Sequence, residues 1–391
     1  MKDFSFCIPT RFVVGKGSAA DVGALIAEYG GHNVLIVDDG GSYLKALLEQ
    51  VKSSIEGQGL CALETPFKAI SPKLSIVMEN VRLCREKGID FILAIGGGTV
   101  MDTAKAIAFF SENDGDLTEY VLYRKASPRC GKVASIVTLS GTGSEVSATA
   151  MIIDDRAEPA IKYPLFQESI RFLFSVMDPS LTCTLPIRTT MAGAFDAITH
   201  IMEHYFCGES GYDLQDRMCE AVISSIMVNM RAVKENPTDY GVRAQLQMGS
   251  TLANSTLLGV GCDSDWAMHY MENPITTMTH NLHGSTLAII AVAWMRHCFR
   301  RDLKKAVNFA VRVMGVTPAD SDEKTAVAGI DAFEAFLKEV GLPVRLSEIG
   351  IGPESFEDLA DRAFVTAGSD TLGGVSRLGR DDVLRIYELA R

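Results

Sequence analysis

The chain has no C-x-x-C pair. Its nine cysteines, from Cys7 to Cys298, are odd in number and irregularly spaced. That pattern argues against a disulfide framework and predicts reduced, mostly buried thiols in a cytoplasmic protein. Long apolar runs are missing too. None reaches the ~18 residues that a membrane helix needs. The opening "MKDFSFCIPTRFVVGKGS" has no apolar core of the kind a signal or transit peptide carries. Neither membrane insertion nor export is expected. Positive charge is scarce, with 37 Lys and Arg against 49 Asp and Glu and a net charge of −12. A broad basic face for nucleic acid or an anionic membrane is therefore not expected. A local phosphate site remains open, because backbone N–H groups can supply positive potential. Internal repeats and low-complexity tracts are also lacking.

What is present divides into two textures. A length of 391 residues suits two domains of ordinary size. The first ~180 residues alternate short β-rich runs with helical patterns. "NVLIV" (33–37), "FILAI" (91–95) and "VASIVTL" (133–139) are candidate buried strands. "YLKALLEQVKSSI" reads as a helix with Leu44, Leu47, Leu48 and Val51 on one face. Such alternation predicts a parallel sheet covered on both faces, with ligands gathered beyond the carboxyl ends of its strands. After "DPSLTCTLP" (178–186) the texture becomes helical, with periodic segments at 187–206, 214–233, 242–260 and 285–299. Domains over 1–183 and 184–391 are expected. Pro274 is expected to break the helix that carries His269.

Two small-residue turns stand out in the first half. "FILAIGGGTVMDTAKAIA" joins a strand to a helix through Gly96, Gly97 and Gly98. Glycines allow close backbone approach, and the helix start offers free N–H groups. The spacing is not G-x-G-x-x-G, and a ligand-free tight turn fits these glycines equally well. "TLSGTGSEVS" (138–147) follows the next strand and is crowded with the hydroxyls of Thr138, Ser140, Thr142 and Ser144. Two such turns after neighbouring strands would converge on one side of the sheet, which favours a bound dinucleotide. Asp38 and Asp39 end the first strand. Either can accept from ribose hydroxyls or form an Asx turn.

The second half carries the candidate ligands. Asp196 and His200 in "AGAFDAITHIMEHY" lie four apart, on one helix face. Alone, that pair better suits a capping or salt-bridged Asp and a satisfied core histidine. His269 and His283 fall in "HYMENPITTMTHNLHG", the second at the start of an apolar helix. One carboxylate and three imidazoles on separate elements would suit zinc or ferrous iron. His204 and His280 read as ordinary polar residues or outer partners of such a site, while His32 and His297 carry no signal. Trp266, Met268, Met271 and Cys262 either shape a pocket or simply pack.

At these residues the chain resembles the iron-containing (group III) alcohol dehydrogenases. "GGGTVMDTAK" (96–105) is similar to the family's pyrophosphate motif and "SGTGSEVS" (140–147) to its next signature. "DPSLTCTLP" with "GAFDAITHIMEHY" resembles its long metal signature, while "DWAMH" (265–269) and "LHGSTLAIIAVAWM" (282–295) look like the butanol dehydrogenase branch. The resemblance implies a Rossmann-like α/β dinucleotide-binding domain and an all-helical C-terminal domain in a dehydroquinate synthase-like architecture, with the site in the cleft between them. It implies Asp196, His200, His269 and His283 as ligands of Fe²⁺ or Zn²⁺. Gly97, Gly98 and Thr99 would hold the pyrophosphate, with Asp102 near the cofactor. Thr138, Ser140, Thr142 and Leu181 would line the adenine or nicotinamide side, and Lys162 would face the cofactor.

Relatives often carry a second histidine where this chain has Asn273. An amide positions an oxygen but exchanges no proton at neutral pH. Proton movement would then fall to His280, a water chain or the cofactor ribose. "GGS" at 40–42 resembles NADP-binding loops, whereas Asp39 matches the acidic position of NAD-dependent relatives. NAD is expected, with NADP as the second choice, because a carboxylate facing a 2′-phosphate costs binding energy. The expected activity is hydride transfer between a nicotinamide cofactor and a small alcohol or aldehyde, in a homo-oligomer of two or more copies. Two rivals are a metal-dependent polyol dehydrogenase or lyase of the same superfamily, and a nucleotide-binding protein without turnover because of Asn273.

Overall fold

The computed structural model describes residues 2–69, 71–158, 160–208 and 213–391. Two compact units emerge from it: Cys7–Thr184, and Leu185–Arg391 together with the N-terminal residues up to Phe6.

The β-rich runs of the first unit form strands. In chain order these are β1 (Arg11–Val14), β2 (Asn33–Val37), β3 (Cys61–Glu64), β4 (Phe91–Gly96), β5 (Lys132–Val137), β6 (Thr149–Asp154), β7 (Ile161–Phe166) and β8 (Phe174–Met177). Six of them build a parallel sheet in the order β1-β8-β5-β4-β2-β3. Val34, Leu35, Ile36 and Val37 are all fully buried, as a strand covered on both faces requires. Between the strands run α1 (Val22–Glu28), α2 (Lys45–Gly57), α3 (Leu74–Lys87), α4 (Gly98–Glu112) and α5 (Leu117–Val121). Leu44, Leu47, Leu48, Val51 and Ile55 pack onto the sheet from α2 and the turn before it. Strand β2 has β3 on one side and β4 on the other. The chain reverses direction across the sheet there, and the carboxyl ends of β2 and β4 flank the crevice where α/β sheets take ligands.

Strands β6 and β7 pair antiparallel outside that sheet, with Ile153 opposite Lys162 and Met151 opposite Pro164. This hairpin was not expected from the sequence. Pro164 argues against a strand within a sheet, yet it is tolerated in a two-stranded ribbon, where every strand is an edge.

The second unit is helical: α6 (Ile187–Tyr205), α7 (Asp213–Glu235), α8 (Tyr240–Ala253), α9 (Ala267–Thr279), α10 (His283–Cys298), α11 (Leu303–Arg312), α12 (Asp322–Glu339), α13 (Phe356–Ala367) and α14 (Arg380–Leu389). Residues of α10 from Gly284 to Met295 are buried all round, which explains a helix without a polar stripe. Its core neighbours include Phe195, Tyr205, Phe309 and Phe333. Two expectations are corrected. The periodic segment 242–260 is a helix only to Ala253, followed by a short 3₁₀ turn at Leu257–Gly259. Pro274 does not end the helix bearing His269, because α9 runs through it to Thr279. Proline removes one N–H bond, to the carbonyl four residues back. Pro274 and Ile275 are buried, and the hydroxyls of Thr277 and Thr279 bond back to the carbonyls of Asn273 and Ile275, both at 2.8 Å. Tertiary burial thus outweighs a local cost of about 3 kcal/mol. Among the described residues no helix is long and apolar enough to cross a membrane.

Candidate metal centre and dinucleotide loops

Helix α6 sets Asp196 and His200 on one face, as a spacing of four dictates. His200 Nε2 lies 3.8 Å from Asp196 Oδ1. His269, in the first turn of α9, brings its Nε2 to 3.7 Å from the same oxygen. His283, the first residue of α10, brings a third Nε2, also to 3.7 Å. Gly284 makes that last approach possible. A Cβ there would fall 1.8 Å from the carbonyl oxygen of Ala192, so only glycine lets α10 start against α6.

Three imidazole nitrogens therefore surround one carboxylate oxygen, at distances too long for hydrogen bonds. Asp196 Oδ1 and His269 Nε2 are buried and have no hydrogen-bond partner. Orphaned buried polar atoms that converge are costly in a bare protein. Tetrahedral ligands with arms of 2.0–2.2 Å sit about 3.4 Å apart, close to the spacing found. Ligand atoms of Asp196, His200 and His269 all lie within 4.8 Å of one another. The donor set of one carboxylate and three neutral nitrogens fits iron or zinc.

Two buried carboxylates stand behind the histidines. Glu203 Oε1 pairs with His269 Nδ1 at 3.0 Å and accepts its backbone N–H at 3.3 Å. Glu272 Oε2 contacts His283 Nδ1, and its other oxygen accepts from the hydroxyls of Thr276 and Thr286. Neither carboxylate is exposed to solvent. Carboxylates placed this way fix which ring nitrogen is protonated and aim the other inward. The sequence reading missed both. The available signal was helical spacing: Glu203 lies three residues after His200, and Glu272 three after His269.

The charges follow from burial and pairing. Burial lowers the pKa of His200 to about 3. Burial acts the same way on His269, but the nearby Asp196 carboxylate and the hydrogen bond to Glu203 prevail and raise it to about 9. Burial opposes ionisation of Asp196, yet the three histidines hold its carboxyl well below the usual range. The pocket favours positive charge at its centre. Trp266 adopts a left-handed φ of 66°, unusual for a bulky residue. In that conformation its ring meets His200, His204 and His269 edge-on. His204 is buried with Nδ1 2.6 Å from Ser264 Oγ. Asn273 is buried in α9, while His280 caps its end and is exposed. Met268 and Met271 belong to the core.

In the first unit, β4 leads through Gly97 into α4, whose first turn has no side-chain cap. The Thr138 N–H donates to the Gly96 carbonyl at 3.1 Å, joining the two small-residue turns. A Cβ on Gly98 would lie 2.5 Å from Thr142 Cγ2, so the loops touch through a glycine. Uncapped N–H groups beside a bare backbone form a cradle that fits a pyrophosphate. Asp102 Oδ1 accepts from Ser144 Oγ at 2.7 Å and Oδ2 from the Met151 N–H at 3.0 Å, so its carboxylate braces the second loop and the hairpin. Lys105, fully buried, donates to the carbonyls of Ser144, Ser147 and Thr149 at 2.6, 2.9 and 3.0 Å. Ser140 and Thr142 lie in the second loop, Lys162 on β7, and Leu181 just past β8. At the end of β2, Asp38 and Asp39 accept the N–H groups of Gly40 and Gly41 at 2.6 and 2.8 Å. Both are therefore Asx turns. Asp38 also binds Lys68 at 2.8 Å, and Asp39 the hydroxyl of Tyr43.

The chain resembles known proteins over its whole length. The model of "Iron-containing alcohol dehydrogenase" matches residues 9–179, and that of "Fe-containing alcohol dehydrogenase family, C-terminal" matches 190–390. The chain is 32% identical over 390 residues to NADH-dependent butanol dehydrogenase A of Clostridium acetobutylicum, covering 99% of each. It is 31% identical to NADPH-dependent aldehyde reductase YqhD of Escherichia coli, covering 100% of each. Among solved structures, NADH-dependent butanol dehydrogenase A of Thermotoga maritima matches with a TM-score of 0.93 and 32% identity, over 100% of this chain and 99% of that one. The metal-fitting quartet, the glycine cradle and both halves of the sequence thus lead to one assignment: the chain belongs to the iron-containing alcohol dehydrogenase family, in its butanol dehydrogenase-like branch.

Proposed function

We propose that this protein is a metal-dependent alcohol dehydrogenase and aldehyde reductase, moving hydride between a nicotinamide cofactor and a small alcohol or aldehyde. The observation that carries this reading is the convergence of three Nε2 atoms on Asp196 Oδ1. When bound, the metal supplies Lewis acidity toward an alcohol or carbonyl oxygen, and the nicotinamide ring exchanges hydride.

The chain's own residues do the rest. Asp196, His200, His269 and His283 hold the Fe²⁺ or Zn²⁺. Glu203 accepts from the outer ring nitrogen of His269 and Glu272 lies against that of His283, so their Nε2 lone pairs face the centre. Gly97, Gly98 and Thr99 offer backbone N–H groups to the pyrophosphate. Thr138, Ser140, Thr142, Lys162 and Leu181 line the dinucleotide, and Asp102 keeps the two loops together. Asp39 accepts from the adenosine ribose, which favours NAD over NADP through the cost of a carboxylate beside a 2′-phosphate. Asn273 orients an oxygen without exchanging a proton, and His280, at the end of the same helix, is assigned to proton positioning. Residues 1–183 form the dinucleotide-binding domain and 184–391 the metal-binding domain. Its described cysteines are free thiols, which suits a cytoplasmic protein. A homo-oligomer of two or more copies completes the reading, and light scattering checks it.

The test is an anaerobic rate assay on protein reconstituted with Fe²⁺ or Zn²⁺. NADH and NADPH are offered with short aldehydes, beside an Asp196→Ala control. Metal-dependent oxidation of NADH, lost in the control, is expected. Binding of cofactor and metal without turnover of any aldehyde would leave a binding role instead.

A further inference from the structure

The helical unit holds a second chemically active cluster, separate from the quartet. Two residues past the end of α6, Cys207 is 8% exposed. Cys262 follows the Leu257–Gly259 turn and is partly exposed. Cys262 Sγ reaches the His204 carbonyl oxygen at 3.9 Å, three residues before Cys207, which places the two thiols side by side. Lys305, 2% exposed on α11, brings its ammonium 3.3 Å from Cys207 Sγ. The same ammonium is held by Asp216 at 3.0 Å and by the Tyr205 carbonyl at 2.7 Å. Cys262 Sγ sits 3.2 Å from the Gly259 carbonyl. A cation fixed beside one of two neighbouring thiols favours its thiolate, the nucleophilic form. The neighbouring Cys262 thiol, opposed by burial and helped by Lys305, pulls the Cys207 thiol down to about 7. Neighbouring Cys219 is pushed up to about 12 by burial and stays a thiol.

We propose that Cys207 and Cys262 are a redox-modification site that closes into a disulfide under a peroxide-class oxidant. The Cys207 thiolate attacks one peroxide oxygen and the O–O bond breaks. The departing hydroxide takes a proton and leaves as water, and Cys207 becomes a sulfenic acid. The Cys262 sulfur then attacks the Cys207 sulfur, the S–O bond breaks, and a second water leaves. Two thiols lose two electrons and two protons, and the peroxide is reduced to two waters. The new bond ties the end of the helix bearing Asp196 and His200 to the segment that enters α9. Trp266, in that segment, packs on His200 and His269. Oxidation is thereby linked mechanically to the quartet.

The experiment uses the full-length protein, metal-free and zinc-loaded, treated with a small excess of hydrogen peroxide. Remaining thiols are alkylated under denaturing conditions, and intact mass and peptide maps are recorded. The expected result is a loss of two hydrogens and one cross-linked peptide pair joining Cys207 to Cys262, reversed by a thiol reductant. In Cys262→Ser the link is lost and a sulfenic acid on Cys207 is trapped by a dione reagent. Alkylation of both cysteines after oxidation would overturn the proposal. So would Cys207 carried on to sulfinic acid without a link, or an N–O–S bridge from Cys207 to Lys305.

Discussion

Replacing Glu203 with leucine should weaken divalent-metal binding by about 10- to 100-fold. Glu203 is fully buried, and one oxygen takes both the His269 ring nitrogen and its backbone N–H, at 3.0 and 3.3 Å. Leucine has a comparable shape but accepts neither. His269 then loses the contact that holds its Nδ1 proton in place, and a hydrogen bond to a charged group contributes about 1.5–3 kcal/mol. That range spans the expected loss in affinity, since each tenfold is about 1.4 kcal/mol. Glutamine keeps an acceptor oxygen and loses only the charge, so Glu203→Gln should lie within about tenfold of the parent. Zinc affinity is measured by competition with a chromogenic chelator, with circular dichroism as the check on folding. A folded Glu203→Leu protein that binds zinc within about twofold of the parent would refute the role given to this carboxylate, because an outer partner of real weight cannot be removed so cheaply.

Other changes test other parts of the structure. Gly98→Ala places a methyl 2.5 Å from Thr142 Cγ2, which forces the two loops apart. NADH affinity should fall by about tenfold, a loss of about 1–3 kcal/mol being typical of such overpacking. A fluorescence titration reads it, and unchanged affinity would remove these loops from the cofactor site. Lys105→Met leaves the carbonyls of Ser144, Ser147 and Thr149 without their buried ammonium. Chemical denaturation should show a loss of about 3–5 kcal/mol, and a loss under about 1 kcal/mol would contradict its role as a brace. Glu334 accepts from Lys338, Arg296 and Arg345 at 2.7, 2.8 and 2.8 Å. Burial raises its pKa, but these three cations prevail and bring it from 4.5 to about 2. A carboxylate lowered in the folded state stabilises above its unfolded value and loses that stabilisation as pH falls through the folded value. Glu334→Gln should therefore cost up to about 3 kcal/mol near neutral pH, with the gap closing between pH 4.5 and about 2. A gap of constant size across that window would show that the ion pairs do not set it.

Much of this architecture can be read locally. The central strands β2 and β4 are nearly continuous apolar runs, and a strand buried on both faces has little choice of residue. Asp196 and His200 share a face because a helix turns every 3.6 residues, so their pairing needs no tertiary information. The glycines after β4 point to a close backbone approach for the same kind of local reason. Hairpin β6–β7 was hidden because Pro164 breaks the pattern of an ordinary strand, and Pro274 misled because its local penalty is visible while the burial that offsets it is not.

Local pattern alone therefore accounts for most of the element types, the two textures and the shared face of Asp196 and His200. Packing settled the rest. His269 and His283 reach Asp196 only because α9 and α10 are laid against α6, and α10 starts there only because Gly284 clears the Ala192 carbonyl. Glu203 and Glu272 look like ordinary helical acids until burial strips their water and leaves the histidines as their partners. Periodicity describes one element at a time, whereas a site closed by three helices depends on distances between elements that no single stretch of chain encodes.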